Sequence, residues 1–154
     1  MSRLLKVLVV VMVVIAIVAV SIGLYVSQYD NLELDVDTVQ SSHSFPTGDA
    51  IELRLVIVLT NTGTVELYVP PTTFDLHVDG VDAGPGSSEA VTVPAGGKAW
   101  ASAVVTVDRD IAPLAYMALV DNGRDKITMI GEAHVDVGPF TLDFPFEESF
   151  YMDV

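Results

Sequence analysis

The sequence predicts an all-β protein: an immunoglobulin- or fibronectin-like antiparallel β-sandwich preceded by one N-terminal transmembrane helix. Three observations carry this. Val7 to Val26 is an apolar run broken only by Ser21 and Gly23. After Tyr29, apolar and polar residues alternate with a period of two, the spacing of half-buried strands. Clusters of Asn, Asp, Gly and Pro interrupt that alternation at regular intervals, and no long helical period occurs.

The apolar run covers 20 residues, enough as a helix to span about 30 Å, the thickness of a bilayer core. Its Val and Ile content makes a poor helix in water. In lipid the backbone must satisfy its own hydrogen bonds, so a helix forms regardless. Arg3 and Lys6 precede the run, and Asp30, Glu33, Asp35 and Asp37 follow it. The basic flank places the N-terminus in the cytoplasm and the remainder outside. Tyr25 and Tyr29 fall where an interfacial aromatic belt would lie. The alternative is a cleaved signal peptide, for which Ala19–Val20–Ser21 offers a small-x-small site. The run exceeds the ~7–15 residues usual for such a segment, which favours a retained anchor. The expected units are a transmembrane anchor, 1–27, with the lipid bilayer as partner of residues 7–26, and an extracytoplasmic β-sandwich, 28–154. The expected location is the cell membrane, in a single pass.

All 21 acidic residues and five of the seven basic ones lie in 28–154, a net charge of −16. Such a surface neutralises no row of phosphates, which excludes nucleic acid, and it disfavours docking on anionic lipid. It fits a salt-adapted, archaeal-type surface, or ordinary solubility. The chain has no cysteine, which excludes disulfides, thiol catalysis and Cys-based metal sites.

The strands follow in order. Leu32, Leu34 and Val36 alternate with acidic residues. Ile51, Leu53, Leu55, Ile57 and Leu59 share one face of a long strand, whose other face turns apolar at Val56 and Val58. Asn61–Thr62–Gly63 supplies a turn. Val65, Leu67 and Val69 resume the alternation until Pro70–Pro71, and Phe74–Val78 runs to a turn at Asp79–Gly80. Residues 82–88, with Gly84, Pro85 and Gly86, are expected to be a loop. Val91 and Val93 lead to Pro94–Ala95–Gly96–Gly97 and a long strand, Lys98–Val107. Trp100 and Leu55 are predicted to be buried. Residues 112–120 suit either a short helix or a strand. Ile127–Val137 and Phe140–Phe144 close the domain. A domain of this size buries enough surface to need no disulfide.

Candidate chemistry is sparse. Asp79–Gly80–Val81–Asp82 and Asp121–Asn122–Gly123–Arg124–Asp125 are rich in oxygen ligands, but neither has EF-hand spacing, and both read as hairpin turns. Asp108–Arg109–Asp110 reads as a solvated loop in which the Arg screens two carboxylates. His77 and His134 would need to meet across sheets, with a third ligand, to hold a transition metal. Ser87–Ser88 lies outside any nucleophile elbow, and Gly84–Pro85–Gly86 opens no helix and so no phosphate loop. Phe144, Phe146, Phe150 and Tyr151 either cap the sandwich or form an exposed aromatic tail. No catalytic, cofactor-binding or metal residue is assigned.

Four stretches, in this order and spacing, resemble the late embryogenesis abundant group 2 family, also described as the WHy domain. They are Leu55–Gly63, Phe74–Gly80, Val91–Gly97 and Ile127–Ala133 with Val135, Val137, Phe140 and Phe144–Pro145–Phe146. An Asn-Pro-Asn or similar turn is common in the family; here it is Asn61–Thr62–Gly63. The resemblance covers roughly residues 32–148. It implies an Ig- or fibronectin-like sandwich without a catalytic site, associated with desiccation, salt or other stress, acting on client proteins or membrane surfaces. The alternative is a structural or adaptor protein of the cell envelope that binds a surface-layer or motility partner. Lys98–Val107, uncharged after Lys98, is the nearest thing to a sticky edge strand.

Overall fold

The computed structural model describes residues 2–137 and 139–153. Helix α1, Arg3–Ser27, has no buried residue. Ser2 caps it by accepting the Leu5 amide. It is long and apolar enough to cross a membrane, consistent with a single-pass anchor and equally with a signal sequence. One 3-10 turn, Gln28–Asn31, leads straight into strand β1, Leu32–Val36.

The rest is mostly β and antiparallel, as expected, in a sheet curled until it nearly closes as a barrel. The other strands are β2 (Ser42–Thr47), β3 (Ala50–Asn61), β4 (Leu67–Val69), β5 (Thr72–Val78), β6 (Val81–Ser88), β7 (Val91–Val93), β8 (Lys98–Asp108), β9 (Arg124–Val137) and β10 (Phe140–Asp153). The main sheet runs β1-β3-β8-β6-β5-β9-β10, with β2 also on β3; β4 and β7 pair separately. The two ends of this order, β1 and β10, leave an unpaired seam.

The core follows the alternation. Ile51, Leu53, Leu55, Ile57 and Leu59 of β3 are all buried. Val56 and Val58, on the other face, are only half-buried. Opposite the large residues, β8 supplies small ones: Leu55 pairs with Ala103, Ile57 with Ala101 and Leu53 with Val105. A tightly curled sheet has room inside for this combination and not for two bulky rows. Trp100 is on the opposite face of β8, beside Val58, and is 55% exposed. The expectation that it is buried is thereby overturned. The small face of β8 takes the interior and the Trp face meets solvent.

Three further expectations change. Residues 82–88 form strand β6 rather than a loop. Asp79 (φ 49°) and Gly80 (φ 84°) make the left-handed two-residue turn of a hairpin. Gly84–Pro85–Gly86 is then taken up as an irregular strand with a register shift. β8 pairs with β6 only from Gly86 to Ser88, so the missing amide of Pro85 costs no ladder bond on that side. Lys98–Val107 is not an edge; it lies between β3 and β6. The last strand continues past Phe144 to Asp153, because Pro145 sits on a terminal strand.

Residues 112–120 resolve as a helix, α2, Pro113–Asp121. Pro113 starts it, Ala115 and Leu119 are buried one turn apart, and the Tyr116 hydroxyl donates to the Gly48 carbonyl at 3.0 Å. β2 had no alternation to reveal it: all six residues are exposed, and β3 holds it by main-chain pairing.

Candidate functional site

Where α1 meets the sheet, a second apolar cluster forms around Tyr29, Leu67, Val135 and Val137, and Ile22, Tyr25 and Val26 of the helix pack on it. Tyr29 is the pivot. It is 8% exposed, its hydroxyl donates to the Tyr68 carbonyl at 2.9 Å, and its ring stacks on Phe144 with centroids 4.9 Å apart. Tyr25 meets it edge-on at 5.8 Å. The interfacial position expected of Tyr29 is therefore also a packing position.

Beside Tyr29 opens a cleft of about 400 Å³. Leu32 and Leu34 of β1, with Ile57 and Leu59 of β3, make one wall. Met129, Ala133 and Val135 of β9 and Phe144 and Phe146 of β10 make the facing wall, with Phe74 of β5 and Val91 of β7 between. Besides the Tyr29 hydroxyl, the described lining residues with polar side chains are Asp30, Thr72, Ser88 and Glu89. Thr72 donates to the Pro70 carbonyl, Ser88 to the Thr72 carbonyl, and Glu89 accepts the Ser102 amide. The cleft exists because β1 and β10 do not pair. Asp35 of β1 acts across that seam on Glu148 of β10. Burial first, and the Asp35 charge second, push the Glu148 carboxyl above its ordinary range.

The C-terminal aromatics thus divide. Phe144 and Phe146 are half-buried and line the cleft, Phe150 is in the core, and Tyr151 is outside under the Arg124 guanidinium, 5.3 Å from its ring centre. Alternation along one strand, rather than a free tail, sets these fates.

The two Asp-rich turns come together at one place. The Asn122 amide donates to Asp79 (3.3 Å) and Asp125 (3.0 Å), and Asp79 accepts the Lys126 amide at 2.9 Å. Asp125 is fully buried, and its Oδ2 has no partner among the described residues. Burial first, and the adjacent Asp79 second, push Asp125 up; the Lys126 amide first, then Asp125, pull Asp79 down. A proton on Asp125 beside an ionised Asp79 resolves the conflict of two neighbouring carboxylates. Asp82 is occupied elsewhere, accepting the Gly84 amide.

His77 pairs with Thr128, six residues from His134 along β9, so the two histidines stand about 20 Å apart. His134 instead meets Asp143 and Glu132, three exposed side chains whose ligand atoms lie within 4.8 Å of one another. Such a trio suits a divalent ion in composition. The hydrogen bond to Asp143 raises the His134 pKa, so protonation competes with any metal. Arg109 pairs with Asp49 at 3.7 Å rather than with its sequence neighbours.

No family model matches the chain, and no curated protein matches it. Solved structures do. A crystal structure of a protein from Archaeoglobus fulgidus is 16% identical, with a TM-score of 0.52 over 80% of this chain and 97% of that one. A solution structure described as that of a "putative late embryogenesis abundant (LEA) protein" is 12% identical, with a TM-score of 0.54 over 94% of this chain and 84% of that one. These likenesses, at such low identity, establish the fold alone: an antiparallel β domain, here carrying an apolar N-terminal helix.

Proposed function

We propose that this chain is a non-catalytic module of the late embryogenesis abundant group 2 type, held on the outer face of the cell membrane, protecting adjacent surfaces under desiccation or salt stress. The observation that supports the reading is the joint at Tyr29. An apolar helix of 25 residues passes into the sheet through one short turn, and its last residues pack on the domain. The acidic body is therefore held close to the bilayer. There its charge of −16 repels approaching surfaces and retains water between them.

The test uses the full chain in proteoliposomes that are dried and rehydrated with a dye inside. Higher dye retention than in protein-free vesicles is expected; equal retention refutes protection. Because the chain has no cysteine, Ser149→Cys gives a single thiol, and an impermeant maleimide on intact cells reads its side of the membrane. Cross-linking the full chain in its own membrane, and finding one stoichiometric partner, would replace protection by an envelope-adaptor role.

A further inference from the structure

We propose that the cleft beside Tyr29 binds one hydrocarbon chain of a bilayer lipid, taken up where α1 emerges from the membrane. The proposal rests on the anchored reading above. Its first support is chemical. The volume, about 400 Å³, falls within the ~300–1,000 Å³ of small-molecule sites. The walls are aliphatic and aromatic side chains drawn from separate strands. Water in such a space finds few partners, and apolar surface left wet is unfavourable. Among the described residues no Lys, Arg or His lines it, while Asp30 and Glu89 do. It therefore suits a hydrocarbon tail and repels an anionic group.

The second support is position. Tyr29 and Asp30, in the turn that directly follows α1, are themselves part of the lining. Tyr25 and Val26, at the lipid end of the same joint, pack on the cluster that Tyr29 shares. The bilayer interface and the cleft are thus continuous, and a tail passes from one to the other without crossing water. The third is topology. The seam between β1 and β10 has no ladder to break, so a long thin chain enters sideways. A peptide strand added to the free edge of β1 or β10 would lie in the seam itself, not among the apolar side chains that line the cleft.

The test places the full chain in phosphatidylcholine liposomes. A small fraction of the lipid carries a photoactivatable diazirine midway along one tail. After irradiation, adducts are mapped by mass spectrometry. Adducts are expected on α1 and on the cleft segments around Met129 and Phe146. Ala133→Trp, which fills the cleft from its half-buried wall, should lower the cleft adducts about tenfold and leave those on α1 unchanged. Val104→Trp, on the outer face of β8, should change neither. Should Ala133→Trp fail to fold by circular dichroism, Ala101→Leu fills the same space. Adducts on α1 with none in the cleft overturn the lipid site and leave the anchored reading standing. Absence of α1 adducts overturns both. Cleft adducts that persist in both filling variants show labelling from outside and overturn the proposal.

Discussion

Gly131→Ala should destabilise the domain by about 3 kcal/mol, the upper end of overpacking costs. A Cβ at Gly131 would lie 2.8 Å from each of three atoms: the Phe146 ring tip, the Phe74 Cβ and the Thr73 carbonyl oxygen. Carbon contacts are optimal near 3.5–4.0 Å, so the overlap is roughly 1 Å on opposing sides. The ring can swing. The carbonyl cannot, because Gly131 pairs with Phe74 in the β5–β9 ladder. Thermal melts of the full chain in detergent, followed by far-UV circular dichroism, should show a midpoint lowered by about 10 °C. Adding Phe146→Leu should recover about 1 kcal/mol, the share owed to the ring. Gly23→Ala, with nothing within 4 Å, is the control and should melt like the parent. A Gly131→Ala midpoint within about 2 °C of the parent would refute the close approach of β5, β9 and β10.

Other expectations concern different parts of the fold. Leu55→Ala, at a fully buried position, should cost about 2–5 kcal/mol in the same melts. Trp100, being exposed, should emit at long wavelength and be quenched by acrylamide in the folded state; a blue, protected emission would reverse the assignment of the β8 faces. The raised Asp125 pKa stabilises the fold at acid pH, and this contribution fades as pH rises through the folded value. Asp79 has the opposite sign: its lowered pKa contributes above about pH 4, and the contribution fades as pH falls through the folded value. Asp125→Asn should therefore remove the loss of stability that accompanies a rise in pH through the folded Asp125 value, seen in denaturant titrations across pH. Asp143→Asn should lower the His134 pKa in an NMR titration, since the hydrogen bond to Asp143 is what raises it.

Period-two spacing revealed β1, β3, β5 and β8 because each has one buried face. It could not say which face of β8 is inside. That choice depends on the large residues opposite, on β3, a pairing invisible in either strand alone. β6 was hidden because Gly84–Pro85–Gly86 has turn composition, yet Gly86 is there because a Cβ would strike Val105 and Phe74. The meeting of Asp79 with Asp125 joins turns far apart in the chain, and only the β5–β9 pairing brings them together. The cleft was least legible. Its residues read as ordinary core, and what makes it a cleft is a ladder that does not form.

The stiff joint at Tyr29 has a mechanical consequence. With α1 in a bilayer, the 20-residue apolar run from Val7 to Val26 matches a core of about 30 Å. A core of about 27 Å is met by a helix tilt of about 25°. A flexible tether would absorb that tilt, whereas this joint transmits it to the body above. Over the length of the 14-residue strand β9, about 46 Å, the far end would swing by about 20 Å. Membrane thickness would then set how far the acidic surface leans over its neighbours.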